Sequence, residues 1–147
     1  MKIQTQMFGT VEIDDEKVLV FADGLLGFEE HTRYALIEAE ELQPLTWLMA
    51  VDEPEIAFPL ADARYFVKDY EVGITKDDRE ALDVHESDDI AILTIVSLPT
   101  EEKPLTANLR GPVVINMTSR LGRQVVLRDE RYSHRQPSLA EAGVVAT

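Results

Sequence analysis

Two short runs of β-branched and apolar residues form the most regular pattern in the chain. The polar segment Thr118–Arg123 separates Pro112–Met117 from Gln124–Leu127, and this arrangement predicts a β-hairpin. Gly122 is expected to take the positive-φ position of the turn, because glycine adopts that conformation without steric cost. The run Val113–Ile115 is apolar throughout, which predicts a strand buried on both faces.

Apolar or alternating runs recur along the rest of the chain, and charged or proline-bearing turns separate them. This spacing is typical of an antiparallel meander. The most apolar run is Ile90–Leu98, which we expect to be a central strand paired with the hairpin strands. Pro59 lies in another run and lacks a backbone N–H, which predicts a sheet edge or a bulge there. The runs are Lys2–Gln6, Gly9–Ile13, Lys17–Phe21, Arg33–Ala39, Leu45–Val51, Ile56–Leu60, Tyr65–Ile74 and Ile90–Leu98.

One short helix interrupts the strands. Thr75 offers a hydroxyl N-cap, and Asp77 and Asp78 place negative charge in the first turn, where the helix dipole favours it. We predict a helix over Lys76–Leu82, after which the chain becomes polar.

Together these elements predict an all-β, mainly antiparallel fold. We expect a compact barrel-like single domain with one short helix over residues 1–137 and a mobile C-terminal tail over residues 138–147. Three apolar side chains of the loop Ala22–Glu30 are expected to tuck it onto the core: Leu25, Leu26 and Phe28.

Composition adds further constraints. A chain of 147 residues is long enough to bury a full hydrophobic core. It contains no cysteine, which excludes disulfides and thiolate metal sites. No apolar run approaches the roughly 18 residues of a membrane span, so we expect a cytoplasmic protein.

The charge is strongly negative and unevenly distributed. Residues 1–102 carry 25 acidic and 7 basic side chains, a balance of −18, whereas residues 103–147 carry 3 acidic and 7 basic ones, a balance of +4. A net charge of −14 repels nucleic acid phosphates and anionic membranes. We therefore expect no direct contact with nucleic acid or membrane, and a basic protein as partner.

The residue pattern offers no catalytic, metal or cofactor site. His31, His85 and His134 include no i, i+4 pair of the kind that zinc sites use. Ser133 and His134 are neighbours on an extended segment, so their side chains point to opposite faces and form no proton relay. Clusters of acidic residues lack the order of a calcium loop. We expect a protein without catalysis and without a cofactor.

The acidic turn between two predicted strands is our candidate for partner binding. Its charged residues lie beside the expected edge strand, whose unpaired backbone groups could pair with a strand of another chain. Asn108 precedes the hairpin and joins this surface if the hairpin packs against it. The predicted partner-binding residues are Asp52, Glu53, Glu55, Ile56, Phe58 and Asn108.

The hairpin and the segment before it carry a set of motif residues: Leu105–Leu109, Gly111–Asn116, Arg120, Gly122, Gln124 and Leu127. Together these residues resemble the signature of the FliW family of flagellar assembly factors. Weaker matches follow in order from Phe8-Gly9 to Arg131-Tyr132-Ser133, so the resemblance spans most of the chain. The family's usual loop is similar to Phe-Pro-x-Gly-Ile-Pro-Gly-Phe-Glu. Here Ala22 and Leu26 stand where prolines are expected, which predicts a looser turn.

The resemblance implies a β-barrel-like, chaperone-type protein of flagellum biogenesis. It implies two protein partners, flagellin and the RNA-binding translational repressor CsrA, and binding of CsrA would relieve repression of flagellin mRNA translation. The alternative is a small β-barrel enzyme or ligand-binding protein of the flavin type, which needs a pocket with convergent polar groups. A nucleic-acid-binding barrel is a third option, which the charge opposes.

Overall fold

The computed structural model describes residues 1–38 and 44–139. Within these residues, α1 spans Lys76–Ala81, and 3₁₀ turns lie at Asp15–Lys17 and Ala63–Tyr65. The strands are β1 Lys2–Thr5, β2 Gly9–Glu12, β3 Leu19–Val20, β4 Arg33–Ile37, β5 Thr46–Ala50, β6 Ala57–Asp62, β7 Ile90–Ser97, β8 Thr106–Ala107, β9 Val113–Asn116, β10 Leu121–Gln124 and β11 Gln136–Pro137.

Seven of these strands close into a barrel. Their order is β7-β6-β5-β4-β3-β10-β9, and β9 pairs with β7 to complete the circle. The β3–β10 pairing is parallel, and the other barrel pairings of the described residues are antiparallel. β1 and β2 form a separate hairpin, and β8 and β11 extend the sheet from β7. The predicted mainly antiparallel, barrel-like fold with one short helix is confirmed.

Apolar side chains from several strands fill the barrel interior. Phe21 and Tyr34 meet edge to face within it, with ring centroids 5.2 Å apart. A flavin-type carrier would need a cavity between the strands, and these side chains occupy that space. The buried residues of this cluster are Leu19, Phe21, Leu25, Tyr34, Leu48, Ala50, Leu60, Val113 and Ile115.

The predicted hairpin forms, but its second strand is shifted. All of Val113–Asn116 is buried, which confirms a strand covered on both faces. Its partner Leu121–Gln124 starts three residues earlier than predicted, so Gly122 lies inside β10, and Arg120 takes the positive φ, at 64°. The prediction for Gly122 was wrong because its missing side chain serves packing. A Cβ there would lie 2.3 Å from Phe21 Cζ.

Pro59 lies in a part of β6 that is paired on one side only, as expected of a sheet edge, but β6 as a whole is not an edge strand. β6 lies inside the barrel, between β5 and β7. It pairs with β5 over residues 57–60 and with β7 over residues 60–62. Pro59 fits because it occupies the half of β6 that is paired on one side, where a missing N–H breaks no ladder. The acidic turn therefore leads into a barrel strand and not to an open sheet edge.

Around α1, the helix cap is as predicted, but the strand predicted before it does not form. The predicted cap is present: Asp78 N–H donates to Thr75 Oγ1 at 3.1 Å, and Thr75 N–H donates to the Asp78 carboxylate at 3.0 Å. Tyr65–Ile74, expected to be a strand, forms none, because Tyr65 ends a 3₁₀ turn and the residues after it are irregular. Its backbone bonds to a side chain in place of a ladder, since Glu71 N–H donates to the Tyr132 hydroxyl at 2.8 Å.

Two predicted segments reach beyond the described residues. Ala39, at the end of one predicted run, lies outside them, and so do residues 140–147 of the predicted tail. The earlier part of the tail contacts the domain, because Leu139 N–H donates to Tyr65 O at 3.0 Å. Mobility of the remaining tail stays a prediction.

Strand directions place two sets of loops at opposite ends of the barrel. Tyr34 pairs with Ala50, so the loop before β4 and the β5–β6 turn share one end, which we call the loop end. β9 begins and β10 ends there as well, because Gln124 pairs with Val113 and receives a hydrogen bond from the loop before β4. The β9–β10 turn, residues 117–120, lies at the other end.

Candidate functional site

The acidic turn joins β5 to β6 at the loop end. Two backbone hydrogen bonds close it: Ile56 N–H donates to Glu53 O and Ala50 N–H donates to Ile56 O, both at 2.9 Å. Asp52, Glu53 and Glu55 are exposed. The turn therefore presents three carboxylates to solvent on a base held by main-chain bonds.

One of these carboxylates is compensated by an arginine. Arg33, the first residue of β4, contacts Asp52 twice, with Nε to Oδ2 at 3.2 Å and Nη2 to Oδ1 at 3.1 Å. Glu53 and Glu55 take part in no ion pair within residues 1–38 and 44–139. The uncompensated charge of the turn therefore lies on the two glutamates, while Asp52 ties the turn to β4.

A shallow cleft of about 390 Å³ lies between the acidic turn and the end of β1. Residues 4–6 line one side, and residues 52–55 line the other. Thr5 Oγ1 is engaged locally, because it donates to Gly9 O at 2.7 Å and accepts from Phe8 N–H at 2.8 Å. The remaining glutamine amides and carboxylates suit a positively charged, hydrogen-bonding side chain.

The apolar members of the predicted surface are partly buried. Ile56 and Phe58 pack against the barrel core. Phe58 also meets Phe28 edge to face, with ring centroids 5.0 Å apart. These two residues support the surface from below. The contact with Phe28 places the β3–β4 loop, which the predicted site did not include, beside the acidic turn.

Sequence reasoning missed that this loop exposes apolar side chains. Leu25 is buried, as expected, but Leu26 is 61% and Phe28 is 38% exposed. The expectation that all three tuck onto the core was wrong because the chain reverses at a turn closed by Phe28 N–H to Leu25 O. The available signal was the pair of glycines, Gly24 and Gly27, which marks a tight turn with an exposed tip.

Asn108 lies at the loop end and serves the backbone. Its Oδ1 accepts from Arg110 N–H at 3.0 Å, and its own N–H donates to Ile95 O at 3.0 Å. Its side chain borders Gly111, whose carbonyl accepts from Gln124 Nε2 at 3.0 Å. Across the described ranges, no hydrogen bond joins Asn108 to the acidic turn. The structure thus groups the other five predicted residues and leaves Asn108 to hold the start of β9.

The other polar groups considered for chemistry are the acidic and histidine side chains and the pair Ser133-His134. In the part of the chain that the structure describes, no group of three or more histidine, aspartate or glutamate side chains is arranged to hold a metal ion. Ser133 Oγ accepts from Arg135 N–H at 3.0 Å, which is a local turn contact.

No helix within the described ranges is both long and apolar enough to cross a bilayer. A second cleft, of about 600 Å³ at the other end of the barrel, is lined by residues including Glu12, Asp14, Lys17, Glu38 and Arg120.

Comparison with known proteins shows which family this chain is similar to. The model of the FliW protein family matches residues 2–139. The chain is 37% identical over 147 residues to the flagellar assembly factor FliW of Natranaerobius thermophilus, covering 99% of this chain and 97% of that protein. It is 38% identical over 137 residues to the flagellar assembly factor FliW of Bdellovibrio bacteriovorus, covering 93% and 78%. A crystal structure of the flagellar assembly factor FliW superposes with a TM-score of 0.84 at 30% identity, covering 95% of this chain and 96% of the other.

Proposed function

Because the chain belongs to the FliW family, we propose that it is a cytoplasmic flagellar assembly factor that binds other proteins and catalyses no reaction. Its partners in this proposal are flagellin and a CsrA-type RNA-binding repressor. When flagellin is scarce, the protein binds the repressor and relieves repression of flagellin mRNA translation. The two partners are alternatives, so one protein couples flagellin supply to flagellin synthesis.

The acidic turn is the observation that supports this proposal most directly. Glu53 and Glu55 are exposed, and no ion pair within the described residues neutralises them. The net charge of −14 strengthens the negative field around them. A repressor that binds RNA carries lysines and arginines for the phosphates, and such a surface is attracted to this turn.

Charge reversal on the turn tests the proposal. Glu53→Lys combined with Glu55→Lys should weaken repressor binding about 5- to 30-fold in low salt, because two attractive charges become repulsive. Both side chains are exposed, so circular dichroism should show an intact fold. Isothermal titration calorimetry measures the affinities, and the difference from wild type should shrink at about 150 mM salt, where charges are screened.

A second double variant controls for net charge. Glu16→Lys combined with Glu86→Lys raises the net charge by four as well, from −14 to −10, at exposed positions next to strands that begin at the other end of the barrel. Equal weakening in both double variants would indicate general attraction to an acidic protein and would remove the turn from the proposal. A wild-type protein that binds neither repressor nor flagellin would refute the proposed function.

Competition examines whether the partners are alternatives. The protein should be retained on a resin that carries the repressor, and added flagellin should release it. Recovery of all three proteins in one stable complex would contradict the switch, although each pairwise interaction would stand.

A further inference from the structure

The turn Leu25–Phe28 at the loop end is fixed by its own backbone. Phe28 N–H donates to Leu25 O at 2.7 Å. Gly24, just before the turn, has φ of 64°, and a Cβ there would lie 2.6 Å from Glu29 Cα. Only glycine permits this approach. A partner therefore meets a preformed turn and loses little entropy in ordering it.

A side-chain hydrogen bond joins the same turn to β10. Leu26 N–H donates to Gln124 Oε1 at 2.9 Å, and Gln124 Nε2 donates to Gly111 O at 3.0 Å. A proline at position 26 would carry no N–H and would make no such bond. The hydrogen bond from Leu26 N–H to Gln124 thus fixes the turn at a position where a proline ring would restrict the backbone instead.

Two apolar side chains on this fixed turn face solvent. Leu26 is 61% exposed and Phe28 is 38% exposed. The edge-to-face contact with Phe58 limits rotation of the Phe28 ring. Single exposed apolar residues are ordinary on protein surfaces, but two on one rigid turn offer contact area at a low entropic cost, as binding hot spots do.

Carboxylates border this apolar pair. Some lie in the same loop and others on the acidic turn, which the Phe28–Phe58 contact places alongside. All are exposed, and none forms an ion pair within residues 1–38 and 44–139. An apolar pair with a negative border is complementary to apolar side chains flanked by lysine or arginine. The bordering residues are Asp23, Glu29, Glu30, Glu53 and Glu55.

We propose that Leu26 and Phe28 are the apolar anchor of the partner-binding surface, and that its occupant is a basic, amphipathic protein segment. This inference rests on the proposed function and specifies the partner's contact chemistry. The anchor supplies the buried area, and the surrounding carboxylates select a segment that carries lysine or arginine beside its apolar side chains. An acidic amphipathic segment is rejected by the same border.

A synthetic peptide tests this chemistry without flagellin or repressor. The probe is an amphipathic helix of leucine and lysine about 14 residues long, and its control is the same pattern with glutamate for lysine. In a titration of the ¹⁵N-labelled chain, the lysine peptide should shift the amide signals of residues 26–28 to saturation, and the glutamate peptide should not. Shifts centred on another region, equal responses to both peptides, or no response would each overturn the proposal.

Single variants identify the anchor. Leu26→Ser keeps the backbone N–H and should weaken binding of the lysine peptide about tenfold. Met117→Ser, at a 39% exposed apolar residue in the turn at the other end of the barrel, is the control and should leave the affinity unchanged. Unchanged affinity in Leu26→Ser, or equal losses in both variants, would overturn the anchor. If wild-type chain binds the repressor and Leu26→Ser binds it equally well, the anchor fails while the proposed function stands.

Discussion

Among individual residues, Asn116 shows how a polar side chain is made compatible with the core. It is fully buried. Its Nδ2 donates to Leu82 O and to Asp88 Oδ2, both at 2.9 Å, and its Oδ1 accepts from Thr118 N–H at 3.0 Å and from Ser119 N–H at 3.3 Å. One amide thus joins the end of α1, the segment before β7 and the β9–β10 turn. Its hydrogen bonds offset the cost of its burial.

The contact with Asn116 makes stability sensitive to acid through Asp88. The side-chain bond from Asn116, followed by the backbone bond from His85, lowers the pKa of Asp88 below its ordinary 3.8. A lowered pKa in the folded state adds stability above about pH 3.8, and this stability is lost as the pH falls through the folded value. Wild type should therefore be more stable than Asp88→Asn at pH 7, and the difference should shrink toward pH 3. Urea denaturation at several pH values measures this, with Asp23→Asn as a control for loss of one surface charge. A difference that stays constant to pH 3 would contradict the assignment.

Tyr34 is the opposite case of a buried polar group. Its side chain is fully buried, and its hydroxyl has no hydrogen-bond partner within the described residues. Burial raises the pKa of Tyr34. Tyr34→Phe should raise the free energy of unfolding by about 1 to 3 kcal/mol, because an unsatisfied buried hydroxyl costs about that much. Urea denaturation checks the sign, and a less stable variant would show that the hydroxyl is satisfied in solution.

Among the elements, β3 and β10 form the shortest seam of the barrel. Their parallel register consists of the pair Leu121 and Val20, and Val20 N–H donates to Arg120 O at 2.9 Å. Packing compensates for this short ladder, since the Phe21 ring lies directly against Gly122. The packing of the Phe21 ring against Gly122 therefore contributes to the stability of this seam.

Gly122→Ala should weaken this seam. The new Cβ would lie 2.3 Å from Phe21 Cζ, and overpacking of this kind costs about 1 to 3 kcal/mol of unfolding free energy. Gly73→Ala is the matched control, because a Cβ there meets open space and should leave stability unchanged or raise it by about 0.4 to 1 kcal/mol. Equal urea midpoints for the two variants would show that Phe21 moves aside freely.

For the molecule as a whole, the basic residues of the C-terminal third are folded among acidic segments. Arg123 contacts Asp78 of α1 at 3.3 Å, and Arg131 contacts Glu71 at 3.9 Å. β9 and β10, which belong to this third, lie in the same barrel as strands from the acidic part of the chain. The balance of +4 over residues 103–147 is therefore partly neutralised within the domain.

This charge arrangement predicts that the protein does not bind RNA. Phosphate contacts require clustered, uncompensated basic side chains, and a net charge of −14 repels the nucleic acid. Fluorescence polarisation with a labelled single-stranded RNA at about 150 mM salt should show no change on addition of this protein. The CsrA-type repressor is the positive control. A saturable polarisation change with this chain would contradict this prediction and support the hypothesis of a nucleic-acid-binding barrel.

Local sequence was sufficient for features that arise from neighbouring residues. The run Val113–Ile115 predicted a strand buried on both faces, and Thr75 with Asp78 predicted the helix cap, because burial pattern and capping depend on a few adjacent positions. The order of short strands predicted the barrel-like class. The exposed acidic turn could likewise be located, since charge and proline mark a turn without reference to the rest of the chain.

Contacts between distant parts of the chain determine the ion pairs, the strand pairing and the packing at the loop end. Sequence could not show that Arg33 compensates Asp52, that β6 is paired on both sides, or that Gly122 makes room for Phe21. Nor could the sequence show the fixed apolar turn next to the acidic turn. The hydrogen bond that holds this turn joins Leu26 to Gln124, which are 98 positions apart in the chain. Strand pairing brings such residues together only when the barrel closes, and no local pattern records which strands will meet.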